Sequence, residues 1–482
     1  MEKPIKKKSQ SAGSISNQSS ELDLSHDLVN LLRNLLVNSL SFLNKVDEAG
    51  KMNWGSYSKV RLREDKRLQL FDQRIFDVSW AYEYITMDEQ GVKLRRATET
   101  AAKCDKLLAP HIDKMFGTCN SAIRLTFFQF WKELLAQYFT CNDHYLTYNE
   151  NHFESVLFKS TESLKTTSVE VVISAIAENC SCELEQIELL PNFHVKMLTP
   201  EMLVNFLNDN PILLYQYPLH HWFGISEVPP EAYVIQTLLQ YRETLPRLGG
   251  DEINMSALQA PKHESLMSRA MEHFRAAVDS LRLLKDGNVR LGATIEETKD
   301  LGKSPWMSAP PEGLYARGGT LYRIHKTDAK EIILLFNQLI GSEESKDHAS
   351  TIGFRRISRA CSGPDWQDRV LDYFMGFEAL LLNEGGGEGL SFRLGIRAAL
   401  LIGESPEERK SVDEFFKRAY GIRSKIVHGS EIKKTDIDIM PRLEEYGRRI
   451  AKKILHLNSQ YKKPDWNEWL WNGRPADKSE ET

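Results

Sequence analysis

Cysteine is scarce and scattered. The chain of 482 residues has six, at Cys104, Cys119, Cys141, Cys180, Cys182 and Cys361. None has the paired spacing of a structural zinc site, and their density is far below that of a secreted disulfide scaffold. Reduced thiols in a cytosol are the expectation, with Cys180 and Cys182 as plain strand or loop residues. Long apolar runs are missing too: no stretch approaches the roughly 18 residues that span a bilayer. The basic start MEKPIKKKSQSAGS is not followed by the hydrophobic segment of a secretory signal. The sequence therefore predicts a cytoplasmic protein with no membrane segment. Nor is there an overall excess of positive charge, and a net charge of −5 argues against a general nucleic-acid coat.

What is present is ordinary for a globular chain, with 41% hydrophobic and 27% charged residues and enough length for two or three domains. Residues 1–20 are rich in Lys and then in Ser, Gln and Asn, cannot bury enough apolar surface to offset ordering, and read as a disordered tail. From Leu22 to about Val46, apolar residues at helical spacing (Leu28, Leu32, Leu35, Leu36, Leu43) predict a long amphipathic helix. Helices are also predicted at about 95–115 and 121–139, the second dense in aromatics (Phe127, Phe128, Phe130, Trp131), which reads as core. Between 151 and 197, β-branched residues such as Val169, Val171 and Ile173 admit a short strand or two. His220 and His221 stand among aromatics in YQYPLHHWFGI, but adjacent histidines on a regular element point apart and the sequence places no third ligand, so no metal is expected there. A helix is predicted from Pro230 to about Leu245, stopped by Pro246 and followed by Gly249-Gly250. The chain divides near residue 260 on this reading.

The second half is read as helices at about 264–284, 327–340, 349–360, 366–382 and 390–402, with a Gly/Pro-rich loop bearing short strands after the first. In the helix at 366–382, Glu378 falls between Leu371 and Phe374 on an otherwise apolar face, and a carboxylate so placed needs a partner. Arg393 and Arg397, on the next helix, are the expected partners. Ser405-Pro406-Glu407-Glu408 then supplies a cap and a first-turn proline, launching a helix into YGIRSKIVHGS (420–430).

That last stretch carries the chemistry. An imidazole titrates near neutral pH and can move protons at a ribose hydroxyl; a guanidinium keeps its charge and can hold a phosphate through its transition state. Arg423 and His428 supply one of each, five residues apart. The spacing alone is a weak signal, arising about once by chance in a chain of this composition. Its surroundings add to it, since residues 409–463 hold fifteen Lys and Arg against seven Asp and Glu. On an ideal helix the two side chains stand roughly 140° apart, so either the segment bends at Gly421 and Gly429 or two copies of the chain contribute to one site. Arg449 and His456, seven apart, form a looser pair that reads as helix surface.

The segments DRVLDYFMGFEALL (368–381), FRLGIRAALLIG (392–403), YGIRSKIVHG (420–429) and the lead-in GGTLYRI (318–324) together resemble the HEPN domains, and among them the ApeA-like subgroup, over about residues 265–460. The resemblance implies a mainly α protein: a C-terminal HEPN helical bundle at 261–463, preceded by a mostly helical domain at 21–260 with few short strands and followed by a tail at 464–482. It implies a metal-independent, cofactor-free RNA endonuclease of anti-phage, abortive-infection defence, working as a homodimer or higher homo-oligomer. Arg423 and His428 become the catalytic pair, with Ser424, Tyr420, Glu378 and Arg397 in support. Lys425, Lys433 and Lys434 are the expected RNA phosphate contacts. Residues 21–260, which resemble no family, are expected to sense a phage-derived trigger. The competing expectations are a catalytically silent HEPN scaffold that binds RNA or a protein, and an enzyme centred on His220 and His221.

Overall fold

The computed structural model describes residues 23–50, 55–64, 68–75, 84–118, 121–142, 145–199, 201–202, 204–205, 227–228, 237–250, 266–298, 306–308, 321–344, 348–382, 389–459 and 464–472. The expected tail at 1–20, His220, His221 and the boundary near 260 lie outside them.

The chain starts with α1 (His26–Glu48), whose buried Leu28, Leu32, Leu35, Leu36 and Leu43 recur at helical spacing as predicted. A hairpin of β1 (Gly55–Leu62) and β2 (Leu68–Ile75) follows, then α2 (Glu89–Cys104). The stretch predicted as one helix from 121 begins instead as a strand. Here β3 (Lys114–Thr118) and β4 (Ser121–Leu125) pair antiparallel, and Thr126 then caps α3 (Phe127–Cys141) by accepting from the Gln129 N–H at 3.1 Å. With α4 (Glu150–Lys165), the elements α1, α2, β3, β4 and α3 share one core holding Trp131, Phe130, Tyr138 and Phe153, all essentially inaccessible to solvent.

A second core begins at residue 171 and runs to Trp469. The hydrophobic division therefore falls between α4 and the next strand rather than near 260. The strands are β5 (Ser168–Glu178), β6 (Cys180–Cys182), β7 (Gln186–Leu190), β8 (Phe193–Met197), β9 (Glu227–Val228), β10 (Thr237–Pro246) and β11 (Leu248–Gly250). Next come α5 (Leu266–Leu284), β12 (Arg290–Thr298), β13 (Trp306–Ser308) and β14 (Tyr322–Ile324). Six of the strands form one antiparallel sheet in the order β13-β12-β5-β10-β8-β7. The ladder pairs strands from both sides of residue 260, β12 with β5. The segment predicted as a helix up to Leu245 is β10, a central strand. Its Thr237, Leu238, Leu239, Tyr241 and Leu245 are buried, including adjacent residues pointing to opposite faces, so the two-residue alternation that betrays a strand is blurred. Cys180 and Cys182 lie on β6, which pairs parallel with β14. Burial pushes the Cys180 thiol up to about 12.

Helices dominate nonetheless, and the protein is mainly α. After β14 come α6 (Ala329–Glu344), α7 (His348–Ser362), α8 (Trp366–Leu381), α9 (Leu390–Ile402) and α10 (Pro406–His428), at positions close to those read from the sequence, and then α11 (Met440–Ser459). They pack on one another and, through α5 and α6, on the sheet. Close approach of α7 and α8 rests on a glycine pair: a Cβ on Gly353 would fall 2.5 Å from Leu380 Cγ, and one on Gly376 2.6 Å from Ile357 Cγ1. The expected tail at 464–482 contains α12 (Trp466–Asn472), with Trp466 and Trp469 buried in the second core. No helix among the described residues is long and apolar enough to cross a membrane.

Candidate active site around Arg423 and His428

Helix α10 places the motif. Ser405 is its N-cap, accepting from the Glu408 N–H at 3.1 Å, and Pro406 occupies the first turn without losing a hydrogen bond. The Glu408 carboxylate turns back to accept from the Glu404 N–H at 3.0 Å, one residue ahead of the cap. The helix then continues through Gly421 and stops only at Gly429, whose φ of +65° lets the Ser430 N–H reach the Lys425 carbonyl at 2.9 Å. The helix is therefore not interrupted at Gly421. Arg423 and His428 are separated by about 7.5 Å along one helix axis and roughly 140° around it.

Burying Val412, Phe415, Phe416, Ala419 and Ile422 fixes which side of α10 faces the core. Phe416 meets Phe377 of α8 edge-on at 5.1 Å, and Tyr420 meets Phe374 at 5.6 Å. This contact carries Arg423 to α8. Its guanidinium lies 3.6 Å from Glu378 and 5.5 Å from the Tyr420 ring centre, a carboxylate on one hand and a π face on the other. Both charged side chains keep a quarter to a third of their surface, 25% for Arg423 and 30% for Glu378. The Glu378 Oε1 atom is nevertheless buried and accepts no hydrogen bond from the protein. Glu378 thus pairs with the motif arginine, not with Arg393 or Arg397 as the sequence suggested. Arg397 instead donates to the Leu381 carbonyl at 2.6 Å and lies 5.3 Å from the Trp466 ring, closing the end of α8 and seating α12.

His428 is exposed, in the last turn beside Val427 and before Gly429, while Ser424 is half-buried. Lys425 and His428 both stand where the negative end of the helix dipole favours cations. Of the expected phosphate contacts, Lys433 and Lys434 are exposed, but Lys425 is half-buried and its ammonium lies 3.4 Å from Asp436. Asp436 also accepts from the Lys433 N–H at 3.0 Å, and these contacts, the backbone one foremost, hold its carboxyl below the usual range. Sequence reading missed Asp436, although an acidic residue three beyond Lys433 is the ordinary mark of such a turn.

Arg449, read with His456 as helix surface, is more than that. Arg449 of α11 donates to the Ile402 carbonyl at 2.5 Å and to Glu408 at 2.7 Å, joining the end of α9 to the start of α10. Among the described residues no group of three or more His, Cys, Asp or Glu side chains could hold a metal ion. No family model, curated protein or solved structure matches the chain.

Proposed function

We propose that the chain is a HEPN-type RNA endonuclease, ApeA-like, that acts in anti-phage defence by cutting RNA without a metal. The observation that carries this reading is the arrangement on α10: a half-exposed guanidinium, steadied by Glu378 and Tyr420, and an exposed imidazole one and a half turns later. In the proposed reaction the 2′-hydroxyl of RNA attacks its adjacent phosphorus. His428 takes the hydroxyl proton or delivers one to the departing 5′-oxygen, and Arg423 neutralises the phosphorane oxygens. The products are a 2′,3′-cyclic phosphate and a 5′-hydroxyl, and DNA, which lacks the nucleophile, survives.

Because the two side chains diverge on one continuous helix, we propose that two copies face each other, each lending a motif. This also supplies the second acid-base group that two proton transfers need. Exposed apolar Val427 (50%) and Ile437 (44%) flanking the motif favour such a contact. Exposed Lys433 and Lys434 are assigned to the RNA backbone, giving binding that weakens with salt. Residues 21–260 are assigned the sensing of a phage-derived trigger.

The pairing of Arg423 with Glu378 also fits a purely structural role, as in a silent scaffold, and one experiment separates the two. His428→Ala and Arg423→Lys are compared with the parent on labelled RNA in EDTA and in phage plating. Loss of cleavage and protection in both variants, with the melting temperature unchanged for His428→Ala, is expected, since a point charge does not replace a planar fork. Full cleavage by folded His428→Ala overturns the nuclease reading.

A further inference from the structure

A second cationic cluster is built from residues that this chemistry does not use. A cleft of about 490 Å³ opens between α5, β12 and α7 and, among the described residues, is lined by Arg275, Arg282, Arg290, Arg355 and Arg359, with Asp279 the one acidic residue. Five guanidinium groups gathered at one cleft stand out in a chain whose net charge is −5. The fold builds this convergence: Arg275 and Arg282 are two turns apart on α5, Arg355 and Arg359 one turn apart on α7, and Arg290 opens β12.

Arg282 is the fixed centre. Only 2% of its side chain is exposed, and it donates to the Val289 carbonyl at 2.9 Å and the Ser358 hydroxyl at 3.4 Å while standing 3.8 Å from Asp279. Asp279 in turn accepts from Ser358. At the rim, Arg275 and Arg355 are exposed. Arg359 keeps 71% of its side-chain surface although its Nε lies 3.2 Å from Asp372 of α8. The cleft therefore combines a buried, hydrogen-bonded cation with exposed cations at its rim. Planar guanidinium forks match phosphate oxygens in pairs. Among the described residues no aromatic side chain lines the cleft, so none of them stacks a base there. The volume falls within the range of small-ligand sites, about 300 to 1,000 Å³.

We propose that this cleft binds a small polyphosphate anion, recognised by its phosphates rather than by a base, with a nucleoside triphosphate as the representative of matching size. The full chain is titrated calorimetrically at physiological salt with tripolyphosphate, ATP, sulfate and a single-stranded RNA oligonucleotide. Tripolyphosphate and ATP are expected to bind alike and at least about tenfold tighter than sulfate, a difference of about 1.4 kcal/mol. Arg275→Ala/Arg355→Ala weakens both at least about tenfold, whereas Lys45→Ala/Lys93→Ala, which removes the same charge from the first core's surface, leaves them unchanged. Should the cleft variant melt early, Arg355→Glu alone carries the test. His428→Ala is expected to bind tripolyphosphate normally, so this proposal and the nuclease reading fail separately. Equal binding by parent and cleft variants, or sulfate binding as tightly as tripolyphosphate, overturns the proposal. So does RNA binding that depends on Arg275 and Arg355 without any tripolyphosphate binding, which marks an RNA track instead.

Discussion

Removing the partner of Arg423 tests the geometry on which the candidate site stands. At 3.6 Å and an effective dielectric near 20, two unit charges attract by about 4 to 5 kcal/mol. Most of that is cancelled by desolvation and side-chain ordering, because each side chain keeps a quarter or more of its surface in water and exposed pairs retain only about 0.2 to 1 kcal/mol. The burial of Oε1 places this pair at the upper end, so a coupling of about 1 kcal/mol is expected. Complete burial would instead strand a charge at a cost of about 3 to 5 kcal/mol, and the observed exposure argues against a loss that large. The assay is a double-mutant cycle with Glu378→Gln, Arg423→Gln and the double variant, each unfolded in urea. Coupling within about 0.3 kcal/mol of zero means that the two side chains do not meet. If Arg423 also clamps phosphate, Glu378→Gln lowers kcat for RNA about tenfold, equivalent to about 1.4 kcal/mol, by loosening the guanidinium without removing it.

Arg449→Ala should lower stability by about 1 to 3 kcal/mol in the same urea assay, since it leaves the Ile402 carbonyl and Glu408 without their shared donor. Gly376→Ala should destabilise by about 1 to 2 kcal/mol despite the better helix propensity of alanine, because its methyl meets Ile357 and the Gly353 carbonyl; an unchanged or raised melting temperature would falsify the close approach of α7 and α8. The Glu404 N–H, followed by Arg449, holds the Glu408 carboxyl below its usual range. A depressed folded value contributes stability that is present above the unfolded value, near 4.3, and is lost as pH falls through the folded one. Glu408→Gln should therefore flatten the loss of stability below about pH 4.3, and an unaltered acid profile would remove that assignment.

The amino-acid sequence by itself determined the helices of the second half and the cap that starts α10. Their signals are local: apolar residues at 3.6-residue spacing, Ser405 with Pro406 behind it, and a glycine at the stop. It also brought Arg423 and His428 onto one segment, because neighbours in the chain remain neighbours on a helix. The sheet was far less legible. Strands β5 and β10 are central and buried on both faces, so their composition loses its alternation, and their pairing joins residues some seventy positions apart. No local pattern records such a partner, and the division between cores at 165–171 went unread for the same reason. Tertiary structure alone decided where the charges went. Three cations, Arg393, Arg397 and Arg423, were chemically suitable for Glu378, and the packing of Tyr420 on Phe374 is what delivered Arg423. Likewise five arginines spread between 275 and 359 become one cleft only when α5, β12 and α7 are folded together, because an electrostatic site depends on distances in space that sequence separation does not specify.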